Sequence, residues 1–144
     1  MVERIGSLLQ TKGSAIHSVG PDATVYEAMH LMAQKGIGAV LVTDQGKLLG
    51  IFSAKDYGTR IVLEGKNGKD VLAREVMTSP VLTVGPDMDI VDAMDIITTK
   101  NIRHLPVIDN GELVGVVTLG DLVRAVLAHK RHTIDQLMRY VGQK

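Results

Sequence analysis

Apolar residues along this chain follow two rhythms that alternate and then start again. Val25, Ala28, Met29 and Met32 have the three-and-four spacing that lines one face of a helix, and Ile90, Ala93, Met94 and Ile97 repeat it. Thr24 stands before the first of these helices with Glu27 three residues on. This is a capping box in which the threonine oxygen takes a first-turn amide and the glutamate reaches back; Asp89 and Asp92 hold the matching places. Gly36 and Asn101 follow the last helical lysines, and both tolerate the left-handed conformation that ends helices. Two short apolar runs come next, Ala39–Val42 and Leu48–Phe52, joined by Asp44-Gln45-Gly46. Leu105–Ile108 and Leu113–Val117, joined by Asp109-Asn110-Gly111, repeat that hairpin pattern. A second helix is predicted after Ser53 and after Thr118, with Asp56 and Asp121 in the third position of another capping box.

The parallels are one repeat at a fixed offset. Val19-Gly20-Pro21-Asp22 returns 65 positions later as Val84-Gly85-Pro86-Asp87. The same offset pairs Ala28-Met29 with Ala93-Met94, Val42 with Val107, Gly50 with Gly115 and Asp56 with Asp121, without a gap. One such unit has too small a sheet to bury both faces. The predicted class is therefore α+β: two βαββα repeats, residues 12–65 and 76–130, packed sheet to sheet with pseudo-twofold symmetry. Gly65–Gly68 is the expected connection. Segments 1–11 and 131–144 read as flanking amphipathic helices, on Ile5, Leu8 and Leu9 and on Ile134, Leu137, Met138 and Val141.

Composition narrows the function. Of 144 residues 45% are hydrophobic and 22% charged, which suits a folded domain. Sixteen basic residues balance sixteen acidic ones, and one phenylalanine with no tryptophan leaves little to stack bases, so nucleic acid is disfavoured. The absence of cysteine excludes disulfides, thiol nucleophiles and Cys-zinc sites. The longest apolar run is too short to span a bilayer and Met1-Val2-Glu3-Arg4 opens no signal peptide, so a cytoplasmic address without membrane contact is expected. No Ser-His-Asp order, Gly-rich phosphate loop or paired carboxylate is discernible, and the histidines at 17, 30, 104, 129 and 132 lack metal-ligand spacing. The expectation is a binding module with no catalysis, no catalytic cofactor and no metal. The methionines at 29, 32, 77, 88 and 94 read as core filler.

Ser53-x-x-Asp56 and Thr118-x-x-Asp121 suit a nucleoside. A carboxylate at a helix start offers charge-assisted acceptors to both ribose hydroxyls, and the exposed amides with the hydroxyl of Ser53 or Thr118 face a phosphate. Capping and ligand binding can coexist in these residues. Arg103-His104, at a strand start opposite a helix tip, can clamp phosphate. The first copy holds Gly38-Ala39 there, which leaves room for a flat ring. Lys55 either reaches a phosphate or is solvated. His129-Lys130-Arg131-His132, read as near a helix end, either complements the helix dipole or offers a patch to an acidic partner.

The runs Val19-Gly-Pro-Asp-x-x-Val25-x-x-Ala28-Met29, Gly50-Ile-Phe-Ser53-Ala-Lys-Asp56, Ile102-Arg-His-Leu-Pro-Val107 and Gly115-Val-Val-Thr118-Leu-Gly-Asp121 resemble the cystathionine-β-synthase (CBS) domain pair, or Bateman module. Leu8-Leu9-x-x-Lys12-Gly13-Ser14, Val76-Met77-Thr78 and Ile134-Asp-Gln-Leu137-x-x-Tyr140 extend the likeness to a stand-alone bacterial subfamily. The resemblance implies clefts that bind AMP, ADP or ATP as regulatory ligands, a homodimer, and control of a protein partner. It implies adenine contacts from Ser14, Ile16 and His17 with Ile37, Gly38 and Ala39 in one cleft. In the other cleft they come from Thr78, Pro80, Val81 and Leu82 with Ile102 and Arg103. Asp121 and Asp56 would hold ribose, and Arg103, His104 and Thr118 phosphate. Where the subfamily carries a Ser-Glu-Arg-Asp run, this chain has Ser53-Ala54-Lys55-Asp56, which keeps the charge without the guanidinium fork. The cleft of Thr118 and Asp121 is expected to bind the charged nucleotide more tightly. Two rivals stand beside this reading. One is another adenosyl ligand, NAD(H) or S-adenosylmethionine; the other is an interaction or oligomerisation module with empty clefts.

Overall fold

The computed structural model describes residues 3–142, and in it the 65-residue offset becomes a hydrogen-bond register. The first copy runs β1 (Ser18–Val19), α2 (Val25–Lys35), β2 (Ala39–Asp44), β3 (Lys47–Ser53) and α3 (Ala54–Tyr57), which continues into a π-helical turn, Gly58–Val62. The second runs α5 (Ile90–Lys100), β4 (His104–Asp109), β5 (Glu112–Thr118) and α6 (Leu119–Gly142). Preceding the copies are α1 (Ile5–Lys12) and α4 (Ala73–Val76). In the first hairpin Ala39 lies opposite Ser53 and Asp44 opposite Lys47; in the second His104 lies opposite Thr118 and Asp109 opposite Glu112. Both ladders slip at equivalent points, Val42/Thr43 and Val107/Ile108. Gln45-Gly46 and Asn110-Gly111 close the hairpins with both residues at positive φ, the two-residue turn whose twist matches the strands.

The predicted helix signals act as capping groups. The Glu27 amide donates to Thr24 Oγ1, and Gly36 and Asn101 end α2 and α5 in the left-handed conformation at φ 64° and 54°. Glu27 itself accepts the Thr24 hydroxyl rather than the cap amide, and Asp89 caps α5 through the Val91 amide.

The leading strand of the second copy is the first departure. β1 pairs parallel with β2 through Ser18 and Val19, whereas its counterpart shrinks to a single bridge between Val84 and Val107. The chain ahead of it has crossed to the other copy, where Thr78 pairs with Ile51 of β3. Pro80 then removes a donor that a longer ladder would need.

That crossing is reciprocal. Helix α1 precedes the first copy, yet Ile5, Leu8 and Leu9 are buried in the core of the second with Ile90, Ala93, Ile97, Leu105, Val117 and Leu122. Helix α4 leads into the second copy, yet Ala73 and Val76 complete the first core with Val25, Ala28, Met32, Val40, Phe52 and Ile61. The equivalent glycines of β3 and β5 make room for these lead-ins. A Cβ at Gly115 would lie 2.8 Å from Leu9 Cδ2, and one at Gly50 2.9 Å from the Thr78 carbonyl.

The second departure is α6. The expected break between the repeat and a separate flanking helix is absent: one helix runs from Leu119 to Gly142, about 36 Å long. His129–His132 therefore lie within a continuous helix, where carbonyls are already bonded, so the helix-end reading of this cluster is withdrawn. Val123, Leu127, Ile134, Leu137 and Met138 form an exposed apolar stripe along it. Residues 1–2 and 143–144, and the side chains of Tyr140 and Val141, lie outside the described residues. Among the described residues no helix is long and apolar enough to cross a membrane.

Candidate functional site

Strands β3 and β5 meet between the copies, and beside them lies a cavity of about 420 Å³. The second copy supplies His104, Val116 and the tip of α6 with Thr118, Asp121 and Arg124. The first supplies His17, Gly36–Leu41 and Ile51, and the lead-in supplies Lys12, Gly13 and Ala15. The volume lies within the range of small-molecule sites.

The chemistry centres on Asp121, buried at 7% exposure. Its Oδ2 accepts the Thr118 amide at 2.9 Å, and its own amide donates to Thr118 Oγ1 at 3.1 Å, completing the predicted capping box. Lys12 Nζ sits 2.7 Å from the same Oδ2, and Arg124 Nη2 donates to Oδ1 at 2.7 Å. Lys12 also donates to the Val116 carbonyl at 2.7 Å. Burial pushes the Asp121 carboxyl up. The hydrogen bonds from Lys12 and from the Thr118 amide and hydroxyl outweigh this and hold it below the usual carboxylate range.

His104 is half-buried on the same wall. Burial lowers its pKa first, the Arg103 charge lowers it further, and Asp121 opposes both. A Cβ at Gly38 would lie 3.8 Å from its Cε1, so the glycine keeps the space beside the imidazole open. A folded pKa below the unfolded one gives stability that is present above about pH 6.5 and lost as pH falls through the folded value. Unfolding midpoints measured between pH 5 and 7.5 should fall on the acid side of 6.5, and His104→Gln should flatten that slope; an identical slope in the variant refutes the assignment.

The other helix tip is bonded within the first copy and its lead-in. Ser53 and Asp56 form a full capping box, with the Ser53 amide and hydroxyl each 3.0 Å from Asp56 Oδ2. Thr78 Oγ1 lies 3.4 Å and Arg60 Nε 3.9 Å from Asp56 Oδ1. Arg60 is held across the tip by bonds to the Val76 and Met77 carbonyls at 2.8 and 3.0 Å.

One cleft thus gathers His17, Ile37, Gly38, Ala39, His104, Thr118 and Asp121 from both copies, while Thr78 joins Asp56. Ser14 and Ile16 do not line it, because side chains alternate along an extended segment and here Gly13, Ala15 and His17 face inward. Arg103 is exposed and outside the lining, in the bend before β4, next to His104; its carbonyl accepts the Leu119 amide. Lys55 is exposed, and Pro80, Val81, Leu82 and Ile102 line neither this cavity nor a second one beside α1. Lys12 and Arg124 were not foreseen. Arg124 carried a signal, three residues beyond Asp121 on one helix; Lys12 carried none, because its partners lie over a hundred residues away.

Residues 12–57 and 73–128 match the CBS domain family. The CBS domain-containing protein YhcV of Bacillus subtilis is 35% identical over 118 residues, covering 82% of this chain and 84% of its own length. The mitochondrial CBS domain-containing protein CBSX3 of Arabidopsis thaliana is 35% identical over 125 residues, 83% of this chain, and the chain spans 61% of that protein. Among solved structures, a CBS-domain-containing protein from Agrobacterium tumefaciens superposes with a TM-score of 0.81 at 34% identity. That match covers 85% of this chain and 98% of the other. A further CBS-domain crystal structure gives 0.84 at 38% identity, over 88% of this chain and 99% of the other. With both repeats matched and a relative of this likeness covered over most of its length, the chain belongs to the CBS-domain family as a tandem pair.

Proposed function

We propose that this pair binds AMP, ADP or ATP in the cleft between its copies and conveys the occupancy of that cleft to a protein partner, without catalysing a reaction. CBS domains are regulatory ligand-binding modules, which sets the class of activity; the ligand is read from the site. The observation that carries it is the Asp121–Thr118 tip of α6, which opens onto the 420 Å³ cavity opposite the wall Ile37-Gly38-Ala39. The carboxylate suits ribose hydroxyls, the helix tip suits phosphate, and the flat wall with Ile51 and Val116 suits a purine. The exposed stripe along α6 favours a second copy as the neighbouring molecule.

The test is a thermal-shift panel of AMP, ADP, ATP, NAD(H) and S-adenosylmethionine, followed by calorimetry. A specific ligand at 100 times its Kd should add about 2.7 kcal/mol of stability. Binding should strengthen as pH falls through the histidine range, because a phosphate beside His104 draws up the pKa that burial holds down. No shift from any compound of the panel overturns the nucleotide reading in favour of an interaction module. A shift from NAD(H) or S-adenosylmethionine alone moves the assignment to those ligands.

A further inference from the structure

We propose that Lys12 and Arg124 are exchangeable counter-ions. They hold Asp121 while the cleft is empty and move onto the phosphate of an incoming nucleotide as the ribose hydroxyls take over that carboxylate. The proposal rests on the nucleotide reading and adds a rule for its ligand: phosphorylated adenosine is admitted, whereas adenosine itself is held poorly.

Both oxygens of Asp121 already carry a cation, Lys12 at Oδ2 and Arg124 at Oδ1, each at 2.7 Å. With the Thr118 amide counted, three of the roughly four acceptor sites of this carboxylate are taken, so a ribose that engages it through both hydroxyls must displace at least one partner. Lys12, 28% exposed, loses its partner within a partly buried cleft, and that loss weighs against an uncharged ligand; Arg124, 72% exposed, is resolvated at little cost. A phosphate on the same ligand supplies a new anionic partner within the cleft, through the charge-assisted bonds that favour Arg and Lys.

The charge of the lining agrees. Among the described residues Asp121 is the only acidic one lining the cleft, against Lys12 and Arg124. One carboxylate does not balance two permanent cations together with the positive end of α6, so the lining suits an anionic ligand.

The parts that must move are those free to do so. The Asp121 side chain is 8% exposed and fixed by the Thr118 amide, whereas those of Lys12 and Arg124 are 28% and 72% exposed. Lys12 is anchored through α1, whose Ile5, Leu8 and Leu9 sit in the second core, so the movement is confined to its side chain, which keeps the Val116 carbonyl as a partner when it leaves Asp121. Both cations, like Asp121, also border the second cavity, about 470 Å³ between α1 and α6, which gives them space.

The experiment is calorimetry with AMP and with adenosine on the wild type, Lys12→Met, Arg124→Gln and the double variant, at one pH and ionic strength. The ratio of AMP to adenosine affinity should fall at least tenfold in the double variant, with adenosine bound as well as before or better. Lys12→Arg should keep the ratio. Equal weakening of both ligands means the two cations merely position Asp121, and it overturns the proposal, as does an unchanged ratio. Should the double variant fail to fold, the salt dependence of the wild type decides: AMP affinity must fall with salt more steeply than adenosine affinity. A wild type that binds adenosine and none of AMP, ADP and ATP overturns this inference, and one that binds none of the four removes the nucleotide reading itself. One that binds AMP with a ratio insensitive to both substitutions removes this inference alone.

Discussion

Replacing Phe52 with alanine should lower the unfolding free energy by about 3–5 kcal/mol, the usual cost of emptying a buried aromatic site. Phe52 is the only phenylalanine in the chain and is fully buried in β3, where the first copy's core closes. Its surroundings come from four elements: Val25, Ala28 and Met32 of α2, Val40 and Val42 of β2, Ala73 and Val76 of α4, and Ile61 of the π-helical turn. Elements of this kind relax only partially into the space of a ring, so a cavity term adds to the transfer term. At the same offset the second copy holds Val117, also fully buried. Val117→Ala removes fewer buried atoms and should cost about 2 kcal/mol. Urea unfolding followed by circular dichroism reads both. A Phe52→Ala loss under about 1 kcal/mol would show that the ring does not pack as described.

How much of this was legible in the sequence depends on the distance over which each feature is specified. The helices over Val25–Lys35 and Ile90–Lys100, their glycine and asparagine ends, and both hairpins are local patterns, and the structure carries them out residue by residue. Helix α4 was missed because four residues are too few to show a period. The continuity of α6 was missed because the polar run His129–Thr133 interrupts the apolar stripe, although no glycine or proline interrupts the backbone there. The reciprocal packing of α1 and α4 has no local signature: amphipathic spacing shows that Ile5, Leu8 and Leu9 need cover but not which copy supplies it.

The site divides along the same line. The two helix tips were legible as motifs, and the cleft does form at one of them. The phase of an extended segment was not, so Ser14 and Ile16 were named where Gly13 and Ala15 face the cavity. Arg103 and His104 read alike as a cationic pair, but only His104 begins β4 and lines the cavity, whereas Arg103 lies in the bend before it, exposed. The identical motifs also concealed an inequality, since the cations that meet the two aspartates, Arg60 at one tip and Lys12 with Arg124 at the other, lie outside the motif.

That inequality sets the largest effect on binding. Asp121→Ala should weaken the nucleotide ten- to a hundredfold, the worth of about 1.5–3 kcal/mol for a charge-assisted contact, whereas Asp56→Ala should change it less than about threefold. Both aspartates belong to capping boxes, so each substitution also costs stability, by about 0.5–2 kcal/mol, and melting temperature alone will not separate them. Calorimetry will. Asp56 is spent on Ser53, Thr78 and Arg60, and the Arg60 guanidinium is pinned to two carbonyls that a ligand does not replace. Asp121 lines the cavity, and of its cationic partners Arg124 is 72% exposed and held by no other side-chain bond among those of the described residues. Because its carboxyl is held below the usual range, Asp121 stays ionised from pH 5 upward, and any loss of binding there on acidification must come from another group. Asp121→Asn tests the charge separately from the shape and should recover little of the affinity. Equal losses at Asp56 and Asp121 would mean that the two tips bind alike and that Arg60 yields as readily as Lys12.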